Sequence, residues 1–144
     1  MSEQALVEAA KASIIAYNNK DWSAVRRVTA PEVTYDEVGT HRKVQGIDNV
    51  LPLWQGWAAA FPDSRATFEK TYVSGSTVII EVTWRGTQTG TMRTASGDIP
   101  PTGKAIEMRA VQIIEVIDGK TQSVRQYFDI ATLMSQLGVS AAGV

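Results

Sequence analysis

Cysteine is absent from the 144-residue chain, and histidine occurs once, at His41. The lack of cysteine excludes disulfide bonds, thiolate metal sites and a cysteine nucleophile. A single histidine leaves no ordinary zinc site unless carboxylates supply the remaining ligands. We therefore expect no metal site.

Long apolar runs and an excess of either charge are also missing. Fourteen Lys and Arg oppose fifteen Asp and Glu, and no stretch gathers four or more basic residues, which argues against a nucleic acid or an anionic membrane as partner. No window approaches the roughly eighteen consecutive apolar residues of a membrane-spanning helix. The N-terminus is acidic where a signal peptide is basic, so we predict a soluble, cytoplasmic protein.

What the chain does contain is typical of one globular domain. Hydrophobic residues make up 44% and charged residues 20%, a balance that favours a single buried core. We predict one domain over residues 1–138 and a flexible tail over residues 139–144.

The spacing of apolar residues predicts an α+β fold. Helical spacing indicates helices over Ser2 to about Asn19, Trp22 to about Val28, about Asn49 to Ala60, and Asp129 to Leu137. Runs rich in β-branched and aromatic residues indicate strands over Val33 to Val38, Thr67 to Ser74, Val78 to Thr87, Ala105 to Ile117, and Thr121 to Phe128. We expect a curved antiparallel sheet whose concave face is closed by the first three helices, which leaves a cone with a pocket. Residues 39–46 and the glycine-rich and proline-rich segment 90–103 are predicted to be loops, the second long and mobile.

The Asp118-Gly119 turn predicts the register of the last hairpin. If the turn is a two-residue loop, Tyr127 lies opposite Ala110. One face of the hairpin then carries Met108, Ala110, Gln112, Arg125, Tyr127 and Asp129. Such a mixture of charged, polar and apolar groups predicts a pocket floor. The opposite face mixes Val and Ile with charge, which predicts a homodimer through the outer sheet face; a three-residue loop or a bulge would exchange the two faces.

Five segments, in their order and spacing, resemble a known family. They are Ala60-Phe61-Pro62-Asp63, Gly86-Thr87, Pro100-Pro101-Thr102-Gly103-Lys104, Asp118-Gly119-Lys120, and Asp129 followed by Leu133-Met134-Ser135-Gln136-Leu137-Gly138. They resemble the SnoaL-like polyketide (ester) cyclases, which share the cone-shaped, cystatin-like fold of nuclear transport factor, ketosteroid isomerases and limonene epoxide hydrolases. The resemblance implies that Asp129 is the acid/base of an intramolecular aldol closure, and that neither metal nor cofactor takes part.

Candidate site residues follow from this face and from the helices. Asp129 could act as general base if its carboxylate is desolvated, or it could simply cap the closing helix. Arg125 could pair with Asp129 or stabilise a developing enolate, and Tyr127 or Gln112 could bind the enolate oxygen.

Aromatic residues supply the other candidates. Trp54 and Trp57 could wall a pocket for a flat ligand, or pack in the core. Tyr17 and Tyr35 could each donate a hydrogen bond to a bound carbonyl or to the backbone. For His41, in a polar loop, solvent exposure is the expectation.

Three functions remain open from the sequence. The leading hypothesis is a cofactor-independent enzyme, of polyketide cyclase or isomerase type, that moves a proton on a hydrophobic carbonyl compound. The first alternative is a non-catalytic, ligand-binding or structural homodimer. The second is epoxide hydrolysis, which generally needs a further carboxylate near Asp129.

Overall fold

The structure is a computed structural model that describes residues 1–139. Its helices are α1 (Glu3–Asn18), α2 (Trp22–Val28), α3 (Ile47–Ala60) and α4 (Ile130–Leu137), and a 3₁₀ turn covers Val38–Thr40. Its strands are β1 (Thr29–Glu37), β2 (Arg42–Gln45), β3 (Arg65–Ser74), β4 (Thr77–Thr87), β5 (Met92–Thr94), β6 (Gly97–Ile99), β7 (Ala105–Ile117) and β8 (Lys120–Phe128). Most of the tail predicted over residues 139–144 lies outside the described residues.

Six strands form the main sheet in the order β2-β1-β8-β7-β4-β3. Strand β1 runs parallel to β8, and the other neighbours are antiparallel. Helix α1 packs on β3, β7 and β8, helix α3 packs on β1, and α2 contacts α1, α3 and β1. The prediction of an α+β fold with a curved sheet and helices on its concave face is confirmed.

Two predicted loops contain strands. Residues Arg42–Gln45 pair with the end of β1 as an edge strand, although two adjacent basic residues, Arg42 and Lys43, give the segment little β signal. The segment 90–103 is not the continuous loop that its sequence predicts. It forms the β5–β6 hairpin, held by the fully buried Gln88, whose amide bonds the carbonyls of Gly90, Ile99 and Pro100.

Side-chain caps fix three helix starts. Ser2 accepts from the backbone N–H of Ala5 at α1, and Asp21 accepts from that of Ala24 at α2. Asp129 does the same for α4, where its Oδ1 accepts from the N–H of Ala131. Such caps satisfy backbone donors that have no partner inside the helix.

The register of the last hairpin changes within strand β8. Ile117 lies opposite Lys120, as a two-residue turn at Asp118-Gly119 requires. Beyond Val116 and Thr121 the register shifts, because Gln122 is an extra residue on β8, a β-bulge, and Ala110 therefore lies opposite Phe128. The predicted register, with Tyr127 opposite Ala110, is wrong from this bulge onward.

The bulge decides which side chains of β8 enter the cone. Val124 and Gln126 are buried and Phe128 half-buried on the concave side, whereas Arg125 and Tyr127 are exposed on the outer face. Strand β7 keeps the predicted alternation, with Met108, Ala110 and Gln112 facing inward. None of the helices within residues 1–139 has the length and apolar character needed to cross a bilayer.

Candidate functional site

A pocket opens on the concave side of the sheet, between helices α1 and α3 and strands β1, β4, β7 and β8. It encloses a cavity of about 80 Å³, or about 720 Å³ when the open mouth is included. Aromatic side chains dominate its wall: Tyr17, Tyr35, Trp54, Trp57, Phe61, Trp84 and Phe128. An apolar wall with a few polar groups is the usual make-up of a small-molecule site.

Edge-to-face contacts hold the aromatic rings. The ring centroids of Tyr17 and Trp84 are 5.3 Å apart at 88°, and those of Tyr35 and Trp54 are 5.5 Å apart at 79°. Trp57 contacts Phe128 edge-to-face at 6.3 Å. These are favourable aromatic geometries, so the wall is a packed surface rather than a set of independent rotamers.

A chain of hydrogen bonds runs along the pocket floor. Trp84 Nε1 and Gln112 Nε2 donate to Gln126 Oε1 at 3.0 and 2.9 Å. Gln126 Nε2 donates to Tyr35 Oη at 2.9 Å, and Tyr35 Oη donates to Glu37 Oε2 at 2.8 Å. Every donor in this chain is oriented toward Glu37.

Glu37 is a fully buried carboxylate at the end of β1. Besides Tyr35, its Oε2 accepts from Trp57 Nε1 at 2.9 Å. Its Oε1 accepts from Thr40 Oγ1 at 2.6 Å and from Arg42 Nη2 at 2.9 Å. Its side chain has no exposed surface, and that of Arg42 is 35% exposed. Burial, and then the negative charge of Glu37, raise the pKa of Tyr35 well above its ordinary value, so Tyr35 is a neutral phenol.

A second hydroxyl lies on the α1 side of the pocket. Tyr17 Oη and Ser64 Oγ are 2.6 Å apart, and burial raises the pKa of Tyr17 to about 12 although the bond to Ser64 opposes the rise. Lys20 Nζ lies 4.4 Å from the centroid of the Tyr17 ring and donates to the backbone carbonyl of Ser64. Burial lowers the pKa of Lys20, with Arg65 adding to the effect and Asp63 opposing it.

Most of the sequence-predicted binding residues do meet at this pocket. Tyr17, Tyr35, Trp54, Trp57, Met108 and Gln112 line it. Ala110 is buried on the same side of the sheet but packs into the core cluster instead. His41 is exposed, as expected.

Arg125, Tyr127 and Asp129 do not line the pocket. The bulge at Gln122 turns Arg125 and Tyr127 to the outer face, where the Arg125 guanidinium lies 5.8 Å from the Tyr127 ring. Asp129 is exposed and caps α4, with Oδ2 accepting from Thr132 Oγ1 at 2.7 Å. That bond is the main reason why the pKa of Asp129 is lowered. The expectation that Asp129 is desolvated on the pocket floor is therefore wrong.

The sequence reasoning missed Glu37, Gln126, Trp84 and Ser64. Glu37 had a signal, because Val33, Tyr35 and Glu37 alternate on one side of β1 and the first two are core-forming types. Gln126 was assigned to the outer face, an error that the bulge explains.

The pocket offers hydroxyl, indole and amide groups rather than charge. None of the described residues that line it is a carboxylate. Within residues 1–139, no three His, Asp or Glu side chains cluster in a way that could hold a metal ion.

A curved sheet closed by helices, with an aromatic pocket on its concave side, is typical of a class of folds that bind small molecules. Residues 7–137 match the sequence model of the SnoaL-like polyketide cyclases, and the chain belongs to that family. No curated protein matches it significantly by sequence.

Solved structures share this fold. A candidate SnoaL-like polyketide cyclase from Jannaschia sp. CCS1 superposes with a TM-score of 0.83 at 19% identity, over 95% of each chain. The candidate polyketide cyclase IdmH from Streptomyces antibioticus gives 0.76 at 26% identity, over 93% of this chain and 99% of that one. An epoxide hydrolase of the LEH-like type from M. tuberculosis gives 0.72 at 19% identity, over 93% and 90%.

Proposed function

We propose that the chain is an enzyme of polyketide cyclase or isomerase type that polarises the carbonyl group of a hydrophobic substrate and moves a proton on it. The observation that carries the proposal is the Tyr17–Ser64 hydroxyl pair, which is set in the aromatic wall of the pocket. No cofactor enters the proposed reaction.

The hydroxyl pair supplies a free hydrogen-bond donor. Two hydroxyl groups that share one hydrogen bond, here 2.6 Å long, leave one O–H proton unused. Because the pKa of Tyr17 is about 12, the phenol stays protonated at neutral pH, and the pair keeps both of its hydroxyl protons. A fixed donor in an apolar site stabilises the negative charge that develops on a carbonyl oxygen during enolisation.

The shape of the pocket limits the substrate. An engineered apolar cavity of about 150 Å³ takes one benzene ring, whereas the enclosed part here is about 80 Å³. A substrate with more than one ring therefore extends into the open mouth of the pocket, and Trp54 and Trp57 of α3 are among the residues that line the pocket. Edge and face contacts with these indoles favour a flat body.

The proposal predicts that Tyr17→Phe slows enolisation of a model ketone. With 2-tetralone in deuterated buffer, we expect the wild-type protein to accelerate exchange of the α-hydrogens, followed by proton NMR. Loss of the donor should reduce this acceleration by roughly 100-fold. The matched control is Tyr72→Phe, which removes an exposed phenol that bonds Glu81 on the outer face.

Two results would count against this assignment. One is exchange that Tyr17→Phe leaves unchanged. The other is exchange abolished by Asp129→Asn. Because Asn keeps a good helix cap, such a loss would indicate that the Asp129 carboxylate, at the start of α4, is the catalytic group. Binding of 2-tetralone without any accelerated exchange would support the alternative of a binding protein, which the lack of a carboxylate among the described lining residues also favours.

Epoxide hydrolysis ranks lower because none of the described lining residues is a carboxylate. Opening an epoxide with water needs a base in contact with that water, and the described lining residues offer hydroxyl and amide groups instead.

We further propose that two copies associate through the outer sheet face. Its centre is apolar, with Val111 and Ile113 half-buried and Tyr127 exposed. Around it lie three acidic and three basic side chains: Glu81, Glu107, Glu115, Arg85, Arg109 and Arg125. Such a balanced set can pair with itself across a two-fold axis.

A further inference from the structure

The buried carboxylate of Glu37 accepts hydrogen bonds from two residues that line the pocket, Tyr35 and Trp57. We propose that Glu37 is the proton acceptor of this pocket and that the Tyr35 hydroxyl relays the proton to it. The inference rests on the proposed function, because it names the base that the enolisation requires.

The geometry of Tyr35 suits a relay. Its ring lines the pocket, and its hydroxyl already donates to Glu37 Oε2 at 2.8 Å while accepting from Gln126 Nε2 at 2.9 Å. A phenol oxygen has a second lone pair, which neither of these two hydrogen bonds uses. The Gln126 amide fixes the direction of the relay, because it can only donate at that position.

The proposed step is balanced. The C–H bond of the substrate breaks, its proton bonds to Tyr35 Oη, and its electron pair stays on the substrate as an enolate. The original Tyr35 proton moves to Glu37 Oε2, so Tyr35 is unchanged and Glu37 becomes a neutral acid. Water returns the enzyme to its starting state by taking the proton from Glu37 after the product leaves.

The surroundings keep Glu37 available as an acceptor. A carboxylate removed from water is costly unless it is paired and hydrogen-bonded, and Thr40, Arg42, Trp57 and Tyr35 all donate to it. Stability alone gives little reason for such an arrangement, because desolvation commonly offsets the attraction in a buried ion pair. A reactive role explains why the charge is buried beside a pocket.

The strength of the base narrows the substrate class. A carboxylate is a weak base, so the carbon that it deprotonates must already be acidic. A carbon between two carbonyl groups meets this condition, since its enolate is delocalised over both oxygens. A carbon between a carbonyl and an aryl ring, such as C1 of 2-tetralone, is activated in a similar way, so the substrates that suit this base are carbonyl compounds with a second activating group on the α-carbon.

The base can be tested without a carbonyl substrate. The probe is 5-nitrobenzisoxazole, which opens to a coloured cyanophenolate when a base removes its ring proton. We expect wild-type protein to accelerate this reaction, and Glu37→Gln and Tyr35→Phe each to reduce the acceleration by on the order of 100-fold. The matched control is Glu115→Gln, which neutralises a half-buried, hydroxyl-bonded carboxylate on the outer face and should leave the rate unchanged.

A pH profile separates a base from a structural group. The charged and titratable groups of the described chain that bond Glu37 are Arg42 of β2 and Tyr35 of β1, while α3 and the 3₁₀ turn contribute the neutral Trp57 and Thr40. We expect the wild-type rate to fall in acid. Any residual rate of Glu37→Gln should lack this acid limb, whereas Glu115→Gln should retain it.

Two results would overturn the inference: a wild-type protein that does not accelerate the probe, and full acceleration by folded Glu37→Gln or Tyr35→Phe. If Glu37→Gln fails to melt cooperatively, Tyr35→Phe decides, because it leaves Glu37 with its other three donors. The nitrobenzisoxazole probe has no carbonyl group, so it tests the base and not the hydrogen-bond donor to a carbonyl. A failure of the proposed function can therefore be told apart from a failure of this inference. Suppose that Tyr17→Phe loses 2-tetralone exchange while Glu37→Gln keeps the full probe rate. That result would contradict only the assignment of Glu37 as the base.

Discussion

Tyr17 couples the protonation of the pocket to the stability of the fold. Its phenol has a pKa of about 12 in the folded protein, against an ordinary value of 10.0. Between these values the folded state holds a proton that the unfolded state has released. The contribution of the neutral Tyr17 phenol to the free energy of unfolding is therefore fully present below pH 10. It is lost as the pH rises through about 12.

The difference predicts how Tyr17→Phe behaves in alkali. The rise in pKa from 10.0 to about 12 corresponds to roughly 3 kcal/mol of stability lost across that interval. The variant should lose about 1 kcal/mol at every pH with the Ser64 hydrogen bond, but its stability should decline less in alkali. Urea unfolding on both sides of the interval measures this, with Tyr72→Phe as control; parallel curves for wild type and Tyr17→Phe would contradict it.

At the scale of elements, Gln88 holds the β5–β6 hairpin in place. Its Oε1 accepts from both the N–H and the hydroxyl of Thr102, at 3.2 and 2.7 Å. The following Gly90 packs so closely on helix α3 that a Cβ there would lie 2.0 Å from the carbonyl oxygen of Ala59. The Gln88 side chain, this close backbone contact and the buried side chain of Met92 together hold the hairpin.

Replacing Gln88 with Met, which has a similar size, should free the hairpin. We expect a loss of about 2 to 4 kcal/mol, because buried backbone groups would lose their partners, and faster trypsin cleavage at the exposed Arg93. The control is Gln45→Met on the edge strand β2, where the side chain is exposed. Equal cleavage rates in Gln88→Met and wild type would show that other contacts hold the hairpin.

Regular elements were predictable from sequence where their periodicity is local. The stripe of Leu6, Ala10, Ile14 and Tyr17 predicted α1, and β-branched runs predicted the long strands. The bulge at Gln122 was not predictable, because the Asp118-Gly119 turn gives the register at Ile117 and Lys120 but carries no information beyond it. The candidate site divided accordingly. The sequence found six lining residues on α1, α3, β1 and β7, namely Tyr17, Tyr35, Trp54, Trp57, Met108 and Gln112, whereas the candidates Arg125 and Tyr127 on β8 were exchanged with their neighbours.

Buried polar residues were the other limit of prediction. Glu37 and Gln88 have no exposed surface, yet their residue types are typical of surfaces. Their burial depends on partners far along the chain, such as Trp57 for Glu37 and Thr102 for Gln88. A single sequence does not reveal such pairings before the fold is known.

At the scale of the whole molecule, the outer sheet face predicts a dimer. Sedimentation at micromolar concentration should give twice the chain mass of 15.6 kDa. Val111→Glu, at the centre of the face, should shift the protein to the monomer, because it buries an unpaired charge at the contact. Ile117→Glu, at the exposed hairpin turn, is the control. A wild-type protein that sediments only as a monomer would refute the dimer.

The single extra residue in β8 also bears on how such a protein can change over generations. Deleting Gln122 would leave Thr121 opposite Val116 and Ser123 opposite Glu115, so the ladder would run through this point without a break. Val124 and Gln126 would keep their places inside the cone, and Arg125 would stay outside it. A lineage with this fold can therefore lose the codon of the bulge without changing the lining of its cavity.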